Sequence, residues 1–64
     1  MRIDKYLNAV NITKRRSVAQ DMISSGVIFI NDKAVKASKD VVIGDIITVA
    51  YLKGAKKYEV LAIP

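Results

Sequence analysis

The sequence contains no cysteine and no histidine, and these two absences remove several kinds of chemistry. Without cysteine, the chain can form neither a disulfide framework nor a Cys-based metal site. Without histidine as well, nucleophilic sites of the Ser-His or Cys-His kind are impossible, and zinc loses its usual ligands. A chain without cysteine suits the reducing cytosol, so we expect a cytoplasmic protein.

Glycines and acidic residues are too few or too scattered to build other common sites. The three glycines are isolated from one another, so no glycine-rich loop can cradle a phosphate. The six acidic residues show neither metal-loop spacing nor a convergent catalytic pair. A Ser-Lys pair is not excluded by composition, but so short a chain offers little pocket in which to tune it. We therefore expect no enzymatic activity, no metal, no cofactor and no small-molecule substrate.

Long apolar runs are missing too. Arg2, Asp4 and Lys5 interrupt the first apolar residues, so the N-terminus does not resemble a signal peptide. The longest uninterrupted runs, such as residues 27–30, are far too short to cross a bilayer. The sequence therefore predicts no membrane partner.

What the chain does have is positive charge. Eleven Lys and Arg residues against six Asp and Glu give a net charge of +5 and a pI of about 9.8. Such a pI raises the expectation of a nucleic-acid partner. The charge is concentrated in residues 1–16, where Asp4 is the only acid. The length predicts one domain over residues 1–64, and a domain of this size buries only about 60% of its unfolded surface.

Apolar periodicity predicts two helices in the first 25 residues. The first spans residues 2–10 and ends before Asn11, which tolerates the left-handed conformation that terminates a helix. The second spans residues 14–25, with Thr13 as its N-cap and Gly26 just past its end.

The sequence after residue 26 predicts strands. Residues 27–30 and 33–36 form a hairpin around a two-residue turn, residues 46–52 form the longest strand, and residues 57–63 pair back after a turn at 53–56. The class is α+β, with two N-terminal helices packed on a small antiparallel sheet of three to five strands. The expected core includes Ile3, Leu7, Val10, Val18, Ala19, Met22, Ile28, Val35, Ile47 and Val49.

The predicted second helix begins with three cations, Lys14, Arg15 and Arg16. Positive side chains are unfavourable at a helix N-terminus, which itself carries about half a positive charge. Either an external anion such as phosphate compensates for them, or they form an ordinary solvated face that salt screens. Asp4 has two readings as well: a favourable charge in the first turn of its helix, or a partner that fixes Arg2 or one of the later arginines.

Aromatic residues offer a second means of binding nucleic acid. Tyr6 lies in the helical stripe and is expected in the core. Phe29, Tyr51 and Tyr58 lie on strands, where an exposed ring could stack on a base or serve ordinary packing.

Several segments, in order, resemble the S4 RNA-binding domain. They are Met1–Leu7, Thr13–Ala19, Gly26–Asn31, Val35–Ser38 and Gly44–Ile46. Together they cover roughly residues 1–52. Within this family the chain is similar to small ribosome-associated members, a heat-shock protein of fifteen kilodaltons and a ribosome quality-control factor. Two departures stand out. Asp32 occupies a turn position where the family often has Gly, and the chain ends at Pro64 without the basic extension of the heat-shock member.

The resemblance implies an αL-type RNA-binding motif whose basic helical face binds structured RNA, either ribosomal RNA or tRNA. Carried over by residue, the RNA-binding face comprises Arg2, Asp4, Lys5, Lys14, Arg15, Arg16 and, as a lesser contact, Lys36. It further implies a protein that acts as a monomer on the large ribosomal subunit, in the rescue of stalled nascent chains. Two alternatives stay open: the RNA-targeting module of a modifying enzyme or synthetase, and a protein-interaction domain. The start at Met1 and the end after the last strand favour a free-standing protein.

Overall fold

Two short helices joined at a corner form the N-terminal part of the molecule. The computed structural model describes residues 1–64, with α1 at Ile3–Ala9 and α2 at Arg16–Ser24. Both predicted helices are confirmed, but each is shorter than the periodicity predicted. Neither helix has the length and apolar character needed to span a membrane.

Each helix ends at a residue in the left-handed conformation, as predicted. The φ angle is 62° at Asn11 and 77° at Gly26. After α2, the Val27 N–H donates to the Met22 carbonyl at 3.3 Å, which is the long hydrogen bond of a Schellman motif. These endings reverse the chain and turn the apolar residues that follow back onto the helices.

The predicted start of α2 is wrong. Its N-cap is Arg15, which has extended backbone and makes no side-chain capping bond, and the first helical residue is Arg16. Thr13 is instead buried, with its N–H bonded to the Leu7 carbonyl at 3.1 Å and its hydroxyl without a partner. Because Thr13 is tied to the end of α1, the chain enters α2 later. Lys14 therefore precedes the helix, and only Arg16 carries its charge inside the first turn.

Four antiparallel strands complete the fold. They are β1 at Ile28–Ile30, β2 at Lys33–Ala34, β3 at Ile46–Tyr51 and β4 at Gly54–Glu59. Their order across the sheet is β2-β1-β3-β4. The predicted α+β architecture of two helices on a small antiparallel sheet is confirmed.

The β1–β2 hairpin has the predicted two-residue turn. Asn31 and Asp32 both have positive φ, at 51° and 67°. Two such residues make a type I′ turn, whose twist matches that of the flanking strands. The second strand is shorter than predicted, because it pairs with β1 only through Lys33 and Ala34 rather than to residue 36, and Val35 packs half-buried against the core.

The last strand lies earlier than predicted. The chain turns at residues 52–53, so Tyr51 pairs with Gly54, and β4 begins where the sequence suggested a longer turn. This tight turn allows six successive pairs along β3 and β4, and the strand ends at Glu59 rather than at residue 63. A long loop followed by a late strand would lose the first three of those pairs.

Eleven buried hydrophobic residues form the core between the helices and the sheet: Ile3, Tyr6, Leu7, Ala19, Ile23, Ile28, Ile30, Val41, Ile47, Val49 and Val60. Six of the ten predicted core residues are among them, and Met22 and Val35 pack partly buried at its edge. Val10 and Val18 were wrongly placed in the core, because they are 38% and 42% exposed. Val10 lies past the end of α1, and the shortened α2 buries the line through Ala19 and Ile23 rather than the neighbouring position 18.

The type I′ turn generates a stability prediction at Asp32. Replacing Asp32 with Gly should raise the free energy of unfolding by about 0.5 kcal/mol, because glycine adopts positive φ without steric cost. Replacing it with Ala should lower stability, because alanine loses the local hydrogen bonding that lets Asp tolerate this conformation. Urea denaturation of both variants measures the difference. A Gly variant no more stable than the Ala variant would contradict the turn assignment.

Candidate nucleic-acid interface

One carboxylate joins the two helices at their starts. The Asp4 side chain is fully buried, and its Oδ2 accepts hydrogen bonds from Arg2 Nη2 at 3.2 Å and from Gln20 Nε2 at 3.0 Å. The Nε of Arg16 lies 3.2 Å from the same oxygen. The Oδ1 atom accepts the backbone N–H of Lys5 at 2.8 Å. Asp4 therefore ties the first turn of α1 to the first turn of α2.

The surroundings of Asp4 favour its charged form. Burial on its own raises the pKa of the carboxyl group, but the hydrogen bonds from Gln20, Arg16 and the Lys5 amide outweigh it and hold the pKa below its usual value. Asp4 is therefore ionised at neutral pH. Because two guanidinium groups share this single negative charge, the group as a whole stays positive.

The structure shows both expected roles of Asp4, because it lies in the first turn of α1 and its carboxylate also holds two arginines. The carboxylate fixes Arg2 and Arg16, and Arg15 takes no part. The positive charge of Arg16 at the start of α2 is therefore compensated within the fold, by Asp4, and does not by itself require an external anion. The two arginine side chains remain 47% and 44% exposed. A guanidinium has five N–H donors, so each keeps donors free while Asp4 limits its orientation.

Three further cations lie next to this group in the chain. Lys5, Lys14 and Arg15 are exposed and have no acidic partner within 4.0 Å. Asn8 fixes the backbone that carries Lys14, because its side-chain amide donates to the carbonyls of Thr13 and Lys14 at 3.4 and 3.2 Å. We call this surface the cationic corner, formed by Arg2, Lys5, Lys14, Arg15 and Arg16.

Lys36 lies outside the cationic corner. It belongs to a turn after β2, in which the Lys39 N–H donates to the Lys36 carbonyl at 3.0 Å. Together with Lys33 and Lys39 it lines an open groove of about 700 Å³ that none of the corner residues lines. The groove is nevertheless attached to the start of α1, since the Ile3 N–H bonds to the Lys39 carbonyl at 2.8 Å. Of the seven predicted site residues, the structure joins Arg2, Asp4 and Arg16 by direct contacts, leaves Lys5, Lys14 and Arg15 exposed next to them in the chain, and places Lys36 on an adjoining surface.

Two residues that organise the site were missed from the sequence, Gln20 and Asn8. Each lies four positions after a residue of the site on the same helix, Gln20 after Arg16 and Asn8 after Asp4. Residues at that spacing lie on one face of a helix. A polar residue repeated at that spacing beside the apolar stripe was the signal that could have identified both.

The aromatic side chains differ in exposure. Phe29 and Tyr58 are half-buried, whereas Tyr51 is 46% exposed. Tyr6 is in the core, as predicted. Of the three strand aromatics, Tyr51 therefore presents the most accessible ring.

Comparison with known proteins agrees with this geometry. Residues 1–47 match the S4 domain family, which is about three quarters of the chain, and the chain belongs to that family. It is 48% identical to an RQC P-site tRNA stabilizing factor of Helicobacter pylori over 64 residues, covering all of this chain and 76% of the relative. It is 43% identical to the factor of the same name in Bacillus subtilis over 51 residues, 80% of this chain and 59% of the relative. A Heat shock protein 15 homolog of Haemophilus influenzae is 33% identical over 63 residues, 98% of this chain and 48% of the relative.

Solved structures confirm the fold. The trimeric structure of Vibrio cholerae Heat Shock Protein 15 superposes with a TM-score of 0.93 at 34% identity, covering all of this chain and 65% of that one. The solution structure of a hypothetical protein, HP1423, gives a TM-score of 0.85 at 48% identity, covering all of this chain and 76% of that one. The expected resemblance to the S4 domain is confirmed in both sequence and structure.

The buried carboxylate generates a prediction about stability and pH. Asp4→Asn should lower the free energy of unfolding by about 2 kcal/mol at pH 7, because it removes the charge from several charge-assisted hydrogen bonds. The folded pKa of Asp4 is depressed, so its contribution is complete above about pH 4, the unfolded value, and is lost as pH falls through the folded value. The difference in the free energy of unfolding between wild type and Asp4→Asn, measured by urea titration, should therefore become smaller below pH 4.

Asp40→Asn provides the matched control. Asp40 is 76% exposed and lies 3.8 Å from the terminal amine, so this variant should retain nearly the wild-type stability. Equal stability of the two variants would contradict the assignment of Asp4 as the ionised partner of Arg2 and Arg16. A loss of stability in Asp4→Asn that did not depend on pH would contradict it as well.

Proposed function

We propose that the chain is a non-catalytic RNA-binding protein that acts on the large ribosomal subunit, in quality control of stalled nascent chains. The cationic corner is the observation that carries this proposal. It has five cations at or next to two adjoining helix starts, and a single carboxylate pairs with only two of them.

The geometry of the corner suits phosphate. Guanidinium groups bind phosphate through paired N–H donors, and a group already held in place loses less conformational freedom on binding. Arg2 and Arg16 are held in this way by Asp4, whereas Lys14 and Arg15 supply less constrained charge beside them. Contacts of this kind follow the path of an RNA backbone and report its shape rather than its base sequence. The corner therefore fits structured RNA, such as ribosomal RNA or tRNA.

The names of the relatives suggest in which process the chain binds RNA. The H. pylori and B. subtilis relatives are named as stabilizing factors for P-site tRNA in RQC, and the H. influenzae relative as a heat-shock protein homolog. By this likeness, we propose that the chain works in the cytoplasm as a monomer and contacts both ribosomal RNA and the tRNA of a stalled complex. Lys36 adds a lesser RNA contact from the adjoining groove.

Salt dependence tests direct phosphate contact. Arg15→Ala and Lys14→Ala should each weaken binding to total tRNA and to purified large-subunit RNA by about tenfold, as expected when a charged hydrogen bond is lost. The slope of log K against log salt should fall by roughly 0.7–0.9 for each contact removed. Lys57→Ala is the control, because it removes the same charge from the sheet edge, where Lys57 lies 3.8 Å from Asp32. A slope unchanged in both corner variants would contradict phosphate contact by the corner.

Sedimentation tests the ribosomal setting. In a sucrose gradient with purified subunits, the wild-type chain should migrate with the large subunit, and crosslinks from residues 14–16 should map to RNA. Combining Lys14→Ala with Arg15→Ala should return the chain to the top of the gradient, whereas Lys57→Ala should not. Migration with the small subunit alone, or no migration with either subunit, would refute the proposal.

A further inference from the structure

The β3–β4 hairpin extends beyond the body of the sheet. Its inner neighbour, β1, pairs with β3 only as far as Val49, and the last hydrogen bond on that side runs from the Ala50 N–H to the Val27 carbonyl at 2.9 Å. Residues 51–56 lie past this point and are exposed without interruption. We call residues 51–56 the ribbon tip. The S4 family match ends at residue 47, so the ribbon tip lies outside it.

The ribbon tip carries positive charge without any compensating acid. No acidic residue occurs between positions 46 and 58, and neither Lys53 nor Lys56 has a carboxylate within 4.0 Å. The neighbouring Lys57 differs, because it lies on the opposite face of β4 and 3.8 Å from Asp32. The two free lysines line a shallow, open recess of about 390 Å³ together with Tyr51. The recess is therefore electropositive and has an aromatic wall.

Tyr51 and Lys56 lie on the same face of the ribbon. Lys56 pairs with Val49, and Tyr51 follows Val49 by two residues, so all three side chains point to one side. The phenol of Tyr51 is neutral at physiological pH, as any ordinary tyrosine is, and partial burial and the neighbouring Tyr58 hydroxyl raise its pKa further. A neutral exposed ring beside two lysines is the combination that holds single-stranded nucleic acid, with a base on the ring and phosphates on the cations.

Protection of an exposed sheet edge is the competing explanation for these lysines. Charged residues on an edge strand prevent pairing with other chains, and this accounts for Lys56 and Lys57 on β4. It does not account for Lys53, which lies in the turn, or for the exposed ring of Tyr51 beside it.

We propose that the ribbon tip is a second RNA-binding element, in which Tyr51 stacks on an unpaired base while Lys53 and Lys56 contact the flanking phosphates. This inference rests on the proposed function for the class of ligand. It adds that the two surfaces bind different forms of RNA: the cationic corner contacts the backbone of structured RNA, and the ribbon tip contacts unpaired nucleotides.

Fluorescence anisotropy with two labelled probes, a short single-stranded RNA and an RNA duplex, tests this difference. Tyr51→Ala should weaken binding of the single strand by about fivefold or more, whereas Tyr51→Phe, which keeps the ring, should bind as wild type. Lys53→Ala and Lys56→Ala should each reduce the salt slope for the single strand by about 0.7, and Lys57→Ala, one residue along the same strand, should not. Duplex binding should respond to Arg15→Ala but not to Tyr51→Ala. Melting temperatures of all variants show that the fold is retained.

The outcomes separate the two proposals. Wild-type affinity in both Tyr51→Ala and the combined Lys53→Ala and Lys56→Ala variant would overturn the ribbon-tip proposal, while a loss in Arg15→Ala would still support the corner. If instead the ribbon-tip variants lost affinity and Arg15→Ala did not, the ribbon-tip proposal would stand and RNA binding by the cationic corner would be rejected. Aggregation of the lysine variants at unchanged RNA affinity would show edge protection instead. Leu52, in the turn of the ribbon tip, is fully exposed. If Leu52→Ser alone abolished co-sedimentation with ribosomes while every variant kept wild-type affinity for the single strand, the tip would bind a protein partner and the proposal would be overturned.

Discussion

The carboxylate of Asp4 lies fully buried where α1 and α2 begin, and the cationic surface of the molecule depends on it. A buried charge is costly unless it is paired and hydrogen-bonded, and Asp4 meets both conditions through Arg2, Arg16, Gln20 and a backbone amide. Its partners therefore cannot move freely without leaving a buried charge unpaired. One interaction thus sets the relative position of two helices and the orientation of two arginines.

In a small domain, a single buried carboxylate of this kind does work that the limited core packing cannot do. With eleven residues in the core and helices of seven and nine residues, little packing is available to hold five like charges together. Mutual repulsion on an exposed surface is weakened by salt, yet it still opposes the approach of two helix starts. Asp4 offsets that repulsion from the inside and leaves the outward N–H donors free. The remaining cations stay without acidic partners, as a surface that binds a polyanion requires.

Much of the fold could be predicted because its determinants are local. The left-handed endings at Asn11 and Gly26 and the turn at residues 31–32 follow from the conformational preferences of single residues. The boundaries that failed depend on distant contacts. Thr13 does not cap α2 because its backbone is bonded to the end of α1. Val41 enters the core from a loop without periodicity, and Val60 enters it just past the end of β4. For the site, composition located the cations, but only the three-dimensional meeting of positions 4, 16 and 20 showed which of them are held in place.

The RNA affinity of Asp4→Asn, measured at a temperature where the variant is still folded, tests the central claim most directly. The substitution removes a negative charge and raises the net charge from +5 to +6. If charge alone governed binding, the variant would bind large-subunit RNA more tightly than wild type. If Asp4 acts by holding Arg2 and Arg16 in a binding geometry, affinity should fall severalfold despite the added positive charge. Tighter or equal binding by a folded Asp4→Asn variant would contradict the account.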